Sequence, residues 1–106
     1  MTQVIDSERR KRAVKETVGN MRETLEAGEG GTFEITDKRA PYPVVFEVKV
    51  PDQYSCSVRV TMGDLVLFDT PSNQTVIASR FMSDLYRFVV AMMGKAIGAS
   101  PLVTLH

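Results

Sequence analysis

The stretch "VVFEVKVPDQYSCSVRVTM", residues 44–62, reads as two strands and the turn between them. Val44, Phe46, Val48 and Val50 alternate with Val45, Glu47 and Lys49. Tyr54, Cys56, Val58, Val60 and Met62 then alternate with Ser55, Ser57, Arg59 and Thr61. Successive strand side chains point to opposite sides, so a period of two marks one buried face and one wet face. Pro51-Asp52-Gln53 is turn-like, which makes the pair an antiparallel hairpin. The fold is read outward from it.

Downstream, Gly63-Asp64 is a second turn, leading into "LVLF" at 65–68. That run is apolar throughout, so alternation does not assign its facing. Upstream, "TFEIT" at 32–36 alternates Phe33 and Ile35 against Thr32, Glu34 and Thr36. Between it and the hairpin lies "DKRAPYP", residues 37–43, a loop in which two prolines deny the backbone ladder donors. The expectation is an antiparallel meander of about four strands within 31–70.

Helical spacing flanks the meander on both sides. Within 6–27, Val14, Val18, Met21 and Leu25 fall on one stripe at spacings of four, three and four. Asp6 or Ser7 suits the N-cap, and Gly28, Gly30 and Gly31 suit the stop. After "TPSN", where Ser72 or Asn73 is a candidate cap, Ile77, Phe81, Leu85, Phe88 and Met92 form one stripe. Ala78, Met82, Val89, Met93 and Ile97 form a second, with Arg80, Asp84 and Arg87 on the polar side. Gly94 and Gly98 weaken this helix, and Pro101 breaks it. The fold class is therefore α+β, a single domain over 1–106. It has an amphipathic basic helix in 1–30, a sheet in 31–70, and a broken C-terminal helix in 72–106 packed on one sheet face.

The two-stripe helix carries more apolar surface than one small sheet buries. Either it presents a broad face to its own core, or one stripe meets a partner. A second copy of the chain would cover the stripe and also close open sheet edges. This reading makes the protein an intertwined homodimer, with Ile77, Phe81, Leu85, Phe88, Val89, Met92 and Met93 at the interface.

Charge is balanced overall, with 13 Lys and Arg against 13 Asp and Glu in 106 residues. No net field steers the chain to nucleic acid or membrane, so any electrostatic role comes from local segregation. "RRKRAVK", residues 9–15, supplies it: Arg9, Arg10, Lys11, Arg12 and Lys15 without an acid, with Glu23 and Glu26 later in the same helix. This polarity opposes the helix dipole, which favours acids at the start and bases at the end. The run is either a solvated face or a contact for phosphates or an acidic protein. The wet sheet face holds Lys49 and Arg59 among the hydroxyls of Ser55, Ser57, Thr61, Thr32 and Thr36, diluted by Glu34 and Glu47. It is either an ordinary solvated face or an RNA contact, with cations on phosphates and hydroxyls on sugar or base edges.

Catalytic chemistry has little support. His106 is the single histidine and Cys56 the single cysteine. No paired carboxylates, phosphate-cradling glycine loop or metal-ligand cluster stands out. The expectation is no enzyme, no cofactor, no metal and no small-molecule substrate. No run approaches the length of a membrane span, so no membrane partner is expected either.

The segments "VVFEVKVPDQYSCSVRV" and "LVLFDTPSNQTVIASRFMSDLYRFVVAMMGKAIGASPLVTL" resemble the coat proteins of single-stranded RNA bacteriophages. The likeness lies in a meander followed by broken C-terminal helices, over roughly residues 44–106. It implies dimers that join sheets edge to edge, interleave their helices and tile an icosahedral shell, the polar sheet face towards RNA. The implied location is the virion, assembled in a bacterial host's cytoplasm. It also implies that Lys49, Arg59, Ser57 and Thr61 contact RNA, with the basic helix serving either in contacts between dimers or as a further RNA element. The family begins with a β-hairpin where residues 6–27 here read as a helix. Two other readings use the same residues: a small dimeric β-sheet regulator of single-stranded nucleic acid, and a phage or bacterial inhibitor docking on a protein.

Overall fold

Alternation in the central hairpin becomes an antiparallel pair in the computed structural model, which describes residues 2–70 and 76–99, with side chains from residue 8 onward. Strand β2 (Val44–Lys49) pairs with β3 (Ser55–Met62), placing Phe46 opposite Val60 and Val48 opposite Val58. On one side β1 (Gly31–Ile35) pairs with β2; on the other, β4 (Leu65–Asp69) pairs with β3. The meander order β1-β2-β3-β4 matches the expectation. A short fifth strand, β5 (Val76–Ile77), pairs with the other end of β3 at Ser55 and Cys56.

Thr70 closes the gap between β4 and β5 along β3. Its Oγ1 accepts the Val58 N–H at 2.9 Å and donates to the Val58 carbonyl at 3.1 Å. The Thr70 N–H donates to that same carbonyl at 2.9 Å. Val58 would otherwise leave buried backbone groups unpaired, at a cost of about 1–3 kcal/mol each.

The facing of "LVLF" follows from a register shift between Val60 and Thr61. Leu67 is the extra residue and turns its side chain into the core; Val66 stays exposed, and Phe68, opposite Val60, sets its ring edge-on against Phe88. The Lys95 ammonium donates to the Leu67 carbonyl at 2.6 Å, so the bulge is satisfied from the helix layer.

Among the described residues, three helices cover one sheet face. α1 runs Thr2–Glu26, starting four residues before the expected start, so Asp6 and Ser7 lie within it and do not cap it. It ends where glycine was expected to end it. Gly28 has φ +76°, its N–H donates to Leu25 and the Glu29 N–H to Thr24, both at 3.0 Å. These two bonds satisfy the last carbonyls, and the left-handed conformation suits glycine. The C-terminal helix is in two pieces, α2 (Ala78–Ser83) and α3 (Leu85–Gly98), hinged at Asp84. Ile77 lies on β5 and not on the helix. The candidate caps Ser72 and Asn73, together with Pro101 and His106, lie outside the described residues.

The core is one cluster. Val44, Phe46, Val48, Cys56, Val58, Val60 and Met62 from the hairpin meet Val18, Met21 and Leu25 of α1 and Leu85, Val89, Met92, Met93 and Ala96 of α3. Burying an aromatic or large aliphatic side chain such as Phe46 contributes about 1.5–3 kcal/mol. α1 lies against β1 and α3, whereas α3 also touches β4. The second stripe of α3 therefore has a cover within the chain, namely α1. Leu85, Val89, Met92 and Met93 are enclosed here, while Ile77 remains 51 % exposed and Phe81 and Phe88 are half-buried at the outer edge.

Candidate nucleic-acid interface

The cations named from the sequence fall on two opposite sides of the molecule. Lys49, Ser57, Arg59 and Thr61 share the uncovered sheet face, as alternation predicts. Lys49 sits opposite Ser57, and Thr61 opposite both Val45 and Val66. Arg59 lies in register between Glu47 on β2 and Asp69 on β4. Lys49 Nζ is 3.8 Å from Glu47 Oε1, an exposed pair of little energetic weight. Glu34 joins that face from β1, so three carboxylates stand against two cations. Its local field does not favour a polyanion.

Tyr54 departs from the alternation. It precedes β3 and is 73 % exposed. Asp52 shapes this turn by accepting the Tyr54 N–H at 2.8 Å, the Ser55 N–H at 3.0 Å and the Ser55 hydroxyl at 2.8 Å. Those bonds, the Tyr54 N–H first, hold its carboxyl below the usual carboxylate range.

The other cations form a basic pole. α1 carries Arg9, Arg10, Lys11, Arg12 and Lys15, the first three of them reaching the end of β1, where the loop adds Lys38 and Arg39. Arg9, Arg10 and Ala13 line a shallow hollow with Thr36, Asp37 and Lys38, which shows the helix and loop in contact. At its centre is Asp37, 6 % exposed. Its Oδ1 accepts the Arg39 N–H at 2.8 Å and Nε at 3.0 Å; Oδ2 accepts Nη2 at 2.9 Å, with Arg10 Nε 3.9 Å away. The Arg39 side chain is the main reason the Asp37 carboxyl lies below its ordinary range, and the pairing raises the guanidinium in turn.

Arg10 and Arg39 are thus partly neutralised. Arg9, Lys11, Arg12 and Lys15 are exposed on α1, and no carboxylate among the described residues lies within ion-pair distance of them. Asp37, Lys38 and Arg39 were missed as site residues. The available signal was "DKR" directly after a strand, since an aspartate there readily accepts the N–H two residues on.

No known protein family, curated protein or solved structure matches the chain. The site is accordingly read from its own chemistry. A groove of about 410 Å³ runs beside the basic pole between α1 and α3. Lys11 lines its polar part with Arg10, Arg39 and the Asp37 carboxylate that those two arginines face, and Val14, Tyr86, Val90, Met93 and Ile97 line its apolar part. Among the described residues no group of three or more His, Cys, Asp or Glu could hold a metal, and no helix is long and apolar enough to cross a membrane. Cys56 is fully buried, and burial pushes its thiol pKa up, away from the reactive thiolate.

Proposed function

We propose that this chain is a non-catalytic nucleic-acid-binding subunit that holds phosphates on its basic pole. One observation carries the reading: Arg9, Lys11, Arg12 and Lys15 are exposed and unpaired on α1, beside the loop cations, among the described residues. The four lie well inside α1 and pair with no described carboxylate, so phosphate contact gives them a use that the fold does not. Titrating a fluorescent 20-nucleotide strand between 50 and 200 mM salt tests it. Contacts to about four phosphates give a log–log slope of roughly −3 for a single strand. Replacing the four side chains with serine should remove most of the binding. Affinity indifferent to salt would rule the reading out.

The coat-subunit reading is the self-assembling form of this activity. Its support is an apolar outer edge, where Phe68 of β4, Ile77 of β5 and Phe81 of α2 remain partly exposed. In that form Ile77, Phe81 and Phe88 make the homodimer contact, and Leu85, Val89, Met92 and Met93 remain within each chain. Size exclusion with absorbance at 260 and 280 nm, followed by electron microscopy, separates the two forms. Regular particles carrying RNA favour the coat subunit; a small dimer that binds oligonucleotides without forming shells favours a regulator.

A further inference from the structure

The groove beside the basic pole has a feature that the fold itself does not require. Gly94 sits inside α3, where glycine is about 1 kcal/mol less favourable than alanine. Its φ is not positive, and a Cβ built there would meet nothing within 4 Å. Neither a turn nor a tight contact in the chain calls for it. What glycine does achieve is an unobstructed wall, because Gly94 lines the groove. Along that wall Tyr86 is 43 % and Val90 45 % exposed, although both belong to a helix whose inner side is well buried.

We infer that the groove takes unpaired bases, with Tyr86 as the stacking surface and Lys11 on the flanking phosphate, which makes the protein selective for single strands. The inference rests on the proposed nucleic-acid function and names the form of nucleic acid bound. An apolar, aromatic wall directly under a cationic rim is the pairing that single-strand sites use. The rim supplies attraction for the backbone, and the wall accepts the π-face of any base. A duplex keeps its base faces stacked, so it meets only the rim. A volume of about 410 Å³ falls within the usual range of about 300–1,000 Å³ for ligand clefts.

The test compares three fluorescent probes by anisotropy: a 20-nucleotide strand, its duplex, and an abasic strand of equal charge. The intact strand should bind about tenfold tighter than the abasic one, the range expected for stacking one base. Gly94→Leu should fold well, since it puts a better helix former into open space, and its side chain fills the groove. It and Tyr86→Ala should each lower intact-strand affinity to the abasic level. If the parent binds both strands equally, or Gly94→Leu keeps the preference, the groove holds no base; salt-dependent binding would then leave the basic pole standing. Failure of all three probes to bind at 50 mM salt overturns both proposals. Displacement of a groove-bound hydrophobic dye by laurate, but not by the intact strand, would assign the groove to an amphiphile and overturn this inference alone.

Discussion

Asp37 and Asp52 begin their turns in the same way and end with different roles. Each accepts the N–H of the residue two positions on, at 2.8 Å in both cases. Asp52 then takes only the N–H and hydroxyl of Ser55, so all of its bonds stay within one exposed turn. Asp37 is almost fully enclosed and takes the Arg39 side chain twice, with Arg10 of α1 close by. One aspartate shapes a hairpin; the other joins a loop to the helix layer. The backbones differ too: the Asp37 carbonyl accepts the Ala40 N–H at 3.0 Å, whereas the Asp52 carboxylate also takes the N–H three positions on.

Asp37→Ala tests the joining role of this aspartate directly. It strands two guanidinium groups and frees the loop, at a cost of about 1–3 kcal/mol. The half-exposed Arg39 places the effect towards the lower end of that range. Urea unfolding at neutral pH should show it. The pH dependence has a definite sign. The folded carboxyl titrates below its unfolded value of about 3.9. Its contribution is therefore complete above that value and is lost as pH falls through the folded pKa. The gap between parent and variant should stay constant from neutral pH to about 5 and narrow only in stronger acid.

Thr70→Val probes a third polar anchor, this one inside the sheet. It removes the acceptor of the buried Val58 N–H and should cost about 1–2 kcal/mol in the same measurement. An unchanged midpoint would mean that Val58 finds another partner. Asp52→Ala should be the mildest of the three. It should lower the melting temperature less than Asp37→Ala does and raise hydrogen exchange at Tyr54 and Ser55 alone. Faster exchange spreading into α1 would contradict the self-contained turn.

The central hairpin was legible because a period of two is hard to produce any other way. Hydrophobic spacing also located α1 and α3, and it marked both stripes of α3 as needing cover. It did not say what covers them. Periodicity reports that a face is buried and carries no information on the partner, which is why α1 went unnoticed as the cover. Residues 76–77 misled for a different reason, although 78–83 are helical as expected. Over so short a span Ile77 and Phe81 fit a helical stripe, yet Val76 and Ile77 complete the edge of β3 instead. The "LVLF" run had no parity to read, and only the bulge at Leu67 assigned it. Of the site, the α1 cations were visible as a run, whereas Asp37 and the groove depend on contacts between distant segments.

The arrangement of α1 also has a kinetic consequence. Each strand of the meander pairs first with its neighbour in sequence, so every step of sheet formation closes a short loop. α1 is different: packing on α3 brings the two ends of the described chain together. That closure is the entropically expensive one and should come last in folding and first in partial opening. When α1 lifts away, Val89 and Met93 lose their cover while the hairpin ladder stays intact. Amide exchange in α1 should accordingly be faster than in β2 and β3 under native conditions, with the helix opening as one unit.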